Sequence, residues 1–110
     1  MIDQKYKKVK ITVVKCAYNE DVALEYANLN NKNLKHCPRH NIGDVFYTDF
    51  QKPEGLCDEA WKAIQHYVFA LAHGGHGFFQ GNFCRYDNMA VITCPDAFKT
   101  ITMKIETVDE

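Results

Sequence analysis

The sequence has no long hydrophobic run and no secretory signal. No stretch of it approaches the apolar length of a membrane-spanning helix, which needs about 20 residues. Its first residues, MIDQKYKK, lack the apolar segment of a signal peptide. These two absences predict a cytoplasmic protein without a membrane partner. In that compartment cysteine thiols are kept reduced.

An excess of charge of either sign is also missing. Thirteen lysines and arginines stand against 14 aspartates and glutamates, which gives a formal net charge of −1. A general nucleic-acid-binding protein needs a basic excess or a concentrated basic face. The only basic cluster lies in a segment whose alternation predicts a strand, where its members would form the solvated face: Lys5, Lys7, Lys8 and Lys10. The sequence therefore predicts no nucleic-acid partner.

The chain lacks C-x-x-C spacing, although five cysteines make it cysteine-rich for a small cytoplasmic domain. An odd number of cysteines without paired spacing argues against a disulfide framework and against a zinc ribbon. The phosphate-binding patterns G-x-x-x-x-G-K and G-x-G-x-x-G are absent as well. No Ser/His/Asp arrangement can be read either. The first candidates for chemistry are therefore the five cysteines: Cys16, Cys37, Cys57, Cys84 and Cys94.

What the sequence contains is sufficient for a single domain over residues 1–110, since 46% hydrophobic residues can bury one core at this length. Alternation in KVKITVVK (8–15) predicts a half-buried strand, with Val9, Ile11 and Val13 on one side. Further strands are predicted at VFYTDF (45–50), MAVITC (89–94) and FKTITMKIE (98–106). The last two are separated by a short turn and are expected to form a hairpin.

The strongest predicted element is a helix over about residues 57–73. Asp58 and Glu59 complement the positive end of its dipole, and Gly74 is a natural left-handed stop. A shorter helix over about residues 20–27 is expected to be capped by Asn19. The sequence thus predicts an α+β fold: a small, mostly antiparallel sheet of three to four strands with both helices packed on it. The apolar face of the long helix is formed by Ala60, Trp61, Ile64, Tyr67, Val68 and Leu71.

Cys57, Cys94 and Asp96 are the candidates for catalytic residues. A thiol at the start of a helix feels the positive end of the dipole, which favours the thiolate, whereas Asp58 and Glu59 oppose it. Cys57 also lies on the apolar face of the helix, so it can equally be a core residue. Cys94 ends an apolar strand, either at the rim of the sheet or as a buried strand residue. Asp96 is more simply explained as the cap of the turn that follows.

Cys37 and His40 have a Cys-x-x-His spacing, which allows two ligands to bind one transition metal ion. A structural zinc site needs a second pair of ligands. That pair can come from the exit of the long helix or from tertiary approach of the other candidates: His73 and His76, or Cys57 and Cys94. His73 has a simpler role, because an imidazole at this position can bond to the last carbonyls of the helix.

Several motifs together resemble one family of short prokaryotic proteins whose function is uncharacterised. They are PEGLCDEAW (53–61), Ala70-Leu71 followed by Gly74-Gly75, and CPD (94–96), which form the pattern PEG-x-C-D-x-A-W … A-L-x-x-G-G … C-P-D. The resemblance extends over nearly the whole chain.

The resemblance implies that Cys37, Cys57 and Cys94 are the cysteines of the family, whereas Cys16 and Cys84 lie outside its pattern. Ala97 replaces the glycine expected after C-P-D. The histidines are not part of the family pattern, so a histidine-based metal site would be particular to this chain. Because the family has no known reaction, the resemblance implies no mechanism.

The first functional hypothesis is a small cytoplasmic thiol protein in which Cys37, Cys57 and Cys94 converge at one end of the sheet. Three thiolates from separate segments would suit a soft transition metal, zinc or an iron–sulfur centre, with a remaining position open to His40 or His76. The same three cysteines could instead form a redox or nucleophilic thiol site. Which of these holds depends on whether the three sulfur atoms lie close together.

The alternative hypothesis is a non-catalytic, homo-oligomeric interaction module with structural cysteines. Phe69 on the polar face of the long helix and the apolar loop GGHGFFQGNF (74–83) would mediate the self-association. A third hypothesis is an enzyme with a small-molecule pocket under the 74–83 loop. Its polar groups would be Asp58, His76, Arg85 and Asp96.

Overall fold

The computed structural model describes residues 6–28, 35–81 and 83–109 and confirms the predicted α+β class. Helices and strands lie within a few residues of their predicted positions. In chain order the elements are β1 (Lys8–Tyr18), α1 (Glu20–Tyr26), β2 (Val45–Thr48), α2 (Asp58–Ala72), β3 (Met89–Thr93) and β4 (Lys99–Val108).

The strands form one antiparallel sheet in the order β2-β1-β4-β3. The predicted hairpin of the last two strands is confirmed. In the centre, Ile11 of β1 pairs with Ile105 of β4, and Val13 pairs with Met103. These four side chains are fully buried and belong to the inner face of the sheet. The alternation seen in the sequence is thus the alternation between the inner and the solvated face.

A bulge at Val14 interrupts this alternation. Val13 is opposite Met103, but Lys15, two positions further, is opposite Thr102, so Val14 has no partner in β4. Beyond the bulge the even-numbered residues of β1 face inward. Cys16 therefore lies opposite Ile101 on the inner face and packs against the core.

Helix α2 covers the inner face of the sheet and contacts β1, β3 and β4. Its N-cap is Cys57 and its C-cap is His73, close to the predicted ends. The His73 Nδ1 atom lies 2.7 Å from the Phe69 carbonyl oxygen, and Gly74 has a φ of +92°, as the sequence predicts. Within the described ranges no helix is long and apolar enough to cross a membrane. The residues that α2 buries are Ala60, Ile64, Val68, Leu71 and Ala72.

Helix α1 contributes less to the core than α2 does, because Ala23 is its only fully buried residue. The sequence predicts that both helices pack on the sheet. Packing on the strands is seen for α2. Asn19 is the N-cap of α1, but the predicted side-chain cap is wrong, because its side chain makes no bond to the helix. The Asn19 amide instead donates to the Ala97 carbonyl oxygen at 2.6 Å. It thereby joins the start of α1 to the turn between β3 and β4.

Candidate functional site

Three of the five cysteines line one cavity of about 510 Å³. Cys37 comes from the loop before β2, Cys57 is the N-cap of α2, and Cys94 follows the last residue of β3. The cavity therefore lies where α2 begins, at one end of the sheet. The rest of its wall is formed by Pro38, Arg39, His40, Glu59, Ala60, Pro95, Asp96, Lys99 and Ile101.

Cys94 is positioned by the β3–β4 ladder. Its backbone N–H donates to the Ile101 carbonyl oxygen at 3.0 Å, and the Ile101 N–H donates to the Cys94 sulfur at 3.4 Å. This pairing continues the register of the hairpin and places the sulfur on the inner face. A hydrogen bond from an N–H group to sulfur is stronger when the sulfur is charged.

Cys37 is held by a loop that is anchored to β1 at the bulge. Gly43 donates its N–H to the Val13 carbonyl at 2.8 Å, and Val13 donates to the Asp44 carbonyl at 2.9 Å. Inside the loop, the Arg39 N–H donates to the Cys37 sulfur at 3.4 Å. The loop thus reaches over the end of the sheet, and its cysteine receives the same kind of donor as Cys94.

His40 connects this loop to the start of α2. Its side chain is 2% exposed, and its Nε2 accepts the Cys57 N–H at 3.0 Å. Because Nε2 accepts, a neutral imidazole must carry its proton on Nδ1, which lies 3.5 Å from the Asp44 carboxylate. The ring also packs edge-on against Phe46, at 5.5 Å between centroids. To ligate a metal through Nε2, His40 would have to release Cys57.

Asp96 lines the cavity, but its oxygens are used by the turn after β3. Oδ1 accepts the N–H groups of Phe98 and Lys99 at 2.8 and 3.0 Å, and Oδ2 lies 2.9 Å from Lys99 Nζ. Burial acts to raise the pKa of Asp96, but these bonds together outweigh it and hold the pKa below its ordinary value of 3.8. The observed role of Asp96 is the capping role that its place in the sequence indicates.

Cys16 belongs to the same region, although the family resemblance places it outside the functional set. Burial raises the pKa of the Cys16 thiol above its ordinary value of 9.0. Negative charge on Cys37, Asp44 and Cys94 adds to this increase, and a hydrogen bond with the Ile42 backbone acts against it. The Cys16 sulfur also donates to the His40 carbonyl oxygen at 3.9 Å, so Cys16 lies beside the loop that carries Cys37. No sequence motif indicates this, because the bulge that turns Cys16 inward follows from strand pairing.

The structure leaves the remaining candidates outside the cavity wall. His76 Nδ1 lies 3.0 Å from the Asp87 carboxylate, and both side chains are well exposed. The 74–83 loop follows the far end of α2, a helix of 15 residues and about 22 Å. The cavity of the three cysteines is therefore not the pocket that the third hypothesis placed under this loop. The polar groups predicted for that pocket are Asp58, His76, Arg85 and Asp96. Of these four, only Asp96 lines the cavity of the three cysteines.

In the described parts of the chain, no three histidine, cysteine or acidic side chains are arranged so that they could hold one metal ion. The five cysteines are free thiols. As they stand, the cavity cysteines are separate thiols in one wall, and His40 is engaged by Cys57.

No protein-family model matches the chain, and no curated protein or solved structure matches it either. The family resemblance stays a prediction.

Proposed function

We propose that the protein is a small thiol protein that uses the cysteines of this cavity as redox or nucleophilic groups toward a small ligand. One observation carries the proposal: Cys37, Cys57 and Cys94 come from three separate segments and line one cavity of about 510 Å³. Pockets for small ligands typically enclose about 300–1,000 Å³. The site therefore combines thiols with room for a small molecule.

The surroundings of the sulfurs favour thiol chemistry. Cys37 and Cys94 each accept a backbone N–H at sulfur, a donor that interacts more strongly with a thiolate than with a thiol. Cys57 is at the N-terminus of α2, where N–H groups lack partners within the helix and the dipole is positive. Since the thiolate is the reactive form of cysteine, these donors support a nucleophilic role.

The same three sulfurs are also the proposed ligands of a soft metal or an iron–sulfur centre. Thiolates are the ligands that such centres prefer. The metal-binding form of the proposal is weaker than the nucleophilic form, because it requires the three cysteines to move together. It also requires His40 to release the Cys57 N–H if the histidine is to serve as a fourth ligand.

Alkylation kinetics test the proposal. Each of the five cysteines falls in its own tryptic peptide, so mass spectrometry can follow each one separately. With iodoacetamide at neutral pH, at least one of Cys37, Cys57 and Cys94 is expected to react about tenfold faster than Cys84. Cys84 is a suitable internal control because it is also half-buried but does not line the cavity.

Two further measurements complete the alkylation experiment. In urea the rates should become equal, since the difference comes from the fold. Equilibrium dialysis against zinc, with Cys37→Ser and Cys84→Ser as matched variants, tests the metal-binding form. The proposal is wrong if all three cavity cysteines react no faster than Cys84 and zinc binding does not depend on Cys37.

Self-association is a second candidate function, supported by an exposed aromatic surface on α2. Phe69 is 52% exposed, and its ring packs on His73 at 4.0 Å and on Phe50 at 5.9 Å between centroids. It borders a shallow depression of about 300 Å³. Phe83, in the loop after α2, is 84% exposed. Burying such rings between two copies would remove apolar surface from water.

For self-association, the sedimentation coefficient of the wild type is expected to increase with protein concentration. Phe69→Ser should abolish the increase, because it removes the central ring of the exposed surface. Tyr26→Ser is the matched control, since Tyr26 is 77% exposed but lies on α1. A wild type that sediments as a monomer at every concentration would contradict this candidate.

A further inference from the structure

Cys16 lies next to the loop that carries Cys37 into the cavity. Its sulfur is 3.9 Å from the His40 carbonyl oxygen, to which it donates. Cys37 lies three residues before His40 in this loop, and its sulfur accepts the Arg39 N–H. Both cysteines pack against the hydrophobic core. Two thiols that are 21 positions apart in sequence thus lie in the region where β1 contacts this loop.

The sheet excludes Cys94 as the reaction partner of Cys16. Both residues lie opposite Ile101 of β4, Cys16 from β1 and Cys94 from the extension of β3. Adjacent strands are about 4.8 Å apart, so the two Cα atoms are separated by about 10 Å. A disulfide needs Cα atoms within about 7 Å. Cys37 is on a loop, outside the ladder, and is free of this constraint.

The two thiols also differ in their surroundings and in their access to the cavity. Burial raises the pKa of Cys16, and negative charge on Cys37 raises it further. Cys37 lines the cavity and has an N–H donor at its sulfur, whereas Cys16 does not line the cavity. This assigns the first attack to Cys37, which lines the cavity, and leaves Cys16 to react second.

We propose that the substrate of the cavity is a small disulfide and that Cys16 is the thiol that resolves the mixed disulfide formed on Cys37. This inference rests on the proposed thiol function and specifies its substrate class. Cys37 attacks one sulfur of R–S–S–R, the S–S bond breaks, and one thiolate RS⁻ leaves and takes up a proton. The product is the mixed disulfide Cys37–S–S–R.

The second step closes the reaction within the chain. Cys16 loses its proton to solvent and attacks the Cys37 sulfur, which breaks the mixed disulfide and releases the second RS⁻. A Cys16–Cys37 disulfide results. The substrate disulfide gains two electrons and becomes two thiols, while the two cysteines lose two electrons. The substrate is the oxidant, so the balance needs no other reagent.

The test uses the reduced full-length protein and glutathione disulfide, with N-ethylmaleimide to block remaining thiols before digestion. Trypsin releases Cys16 in peptide 16–32 and Cys37 in peptide 36–39. In the wild type these two peptides are expected to be joined, with release of two glutathione molecules per chain. Cys16→Ser should stop at the mixed disulfide on peptide 36–39, with release of one. Cys84→Ser should behave like the wild type.

Each outcome decides the inference. A cross-link that joins Cys37 to Cys57 or Cys94, or a wild type that stops at the mixed disulfide, overturns it. Should Cys16→Ser and Cys16→Ala both fail to fold by circular dichroism, the peptide map of the wild type still decides. Fast alkylation of Cys37 without the cross-link would contradict this inference alone. Slow alkylation of all three cavity cysteines, together with zinc binding that does not depend on Cys37, would contradict the proposed function itself.

Discussion

Replacing His40 with alanine is expected to lower the free energy of unfolding by about 3–5 kcal/mol. The imidazole is 2% exposed, so its removal leaves a space inside the protein. The substitution also deprives the Cys57 N–H of its acceptor, and an unsatisfied buried donor costs about 1–3 kcal/mol. Urea denaturation followed by circular dichroism measures the change.

Two variants separate the hydrogen bond from the general effect of losing a histidine. His40→Gln keeps an acceptor near the position of Nε2 and should recover part of the stability. His36→Ala removes an exposed side chain and should change stability by less than about 0.5 kcal/mol. A His40→Ala protein that is as stable as His36→Ala would show that the contact with Cys57 contributes nothing.

The same substitution should change the reactivity of the cavity cysteines selectively. Cys37 and Cys57 lie on the two segments that His40 joins, so both should become more accessible to iodoacetamide in His40→Ala. Cys94 is held by its own bonds to Ile101 and should keep its wild-type rate. An equal increase at all three cysteines would indicate general unfolding instead.

Replacing Asp96 with alanine is expected to lower the free energy of unfolding by about 2–3 kcal/mol at neutral pH. The carboxylate accepts two backbone N–H groups and pairs with Lys99, and all three bonds are lost together. The value is modest for three bonds because the side chain is about one third exposed. Asp96→Asn keeps an oxygen acceptor without the charge and should lie between alanine and the wild type.

The effect of Asp96 should depend on pH in a defined direction. Its pKa is held below the ordinary value of 3.8, so the folded protein favours the ionised form. The stability that this carboxylate contributes is therefore complete above 3.8 and is lost as the pH falls through its lowered pKa. The difference between wild type and Asp96→Asn should accordingly shrink in acid. A difference that is constant across this range would contradict the assignment of the charge.

Much of the fold could be predicted from local patterns in the sequence. The spacing of Ile64, Val68 and Leu71 marks the buried face of α2, and Gly74 marks its end. The alternation at the start of β1 identifies its inner face. These predictions succeed because a helix face and a strand face depend on neighbours only a few residues away.

The site could be predicted only in part. The resemblance singles out Cys37, Cys57 and Cys94, and the structure does place these three in one cavity wall. The Cys-x-x-His spacing makes His40 a candidate metal ligand, and in the structure its Nε2 accepts the N–H of Cys57. The pattern of charged and polar residues could not reveal this bond, because its partners are 17 positions apart and meet only when the loop folds over the start of α2.

By itself, the sequence determined the fold class, the extent of α2 and the candidate cysteines, because periodicity and end signals act over short distances. The tertiary structure decided which cysteines share one cavity wall. If the alternation of β1 continued with a period of two residues, Lys15 would face the core and Cys16 would face solvent. One unpaired residue at Val14 reverses this, since the register of β1 depends on its pairing with β4, about 90 positions away. Cys16 lies on the inner face, next to the loop that carries Cys37, for that reason.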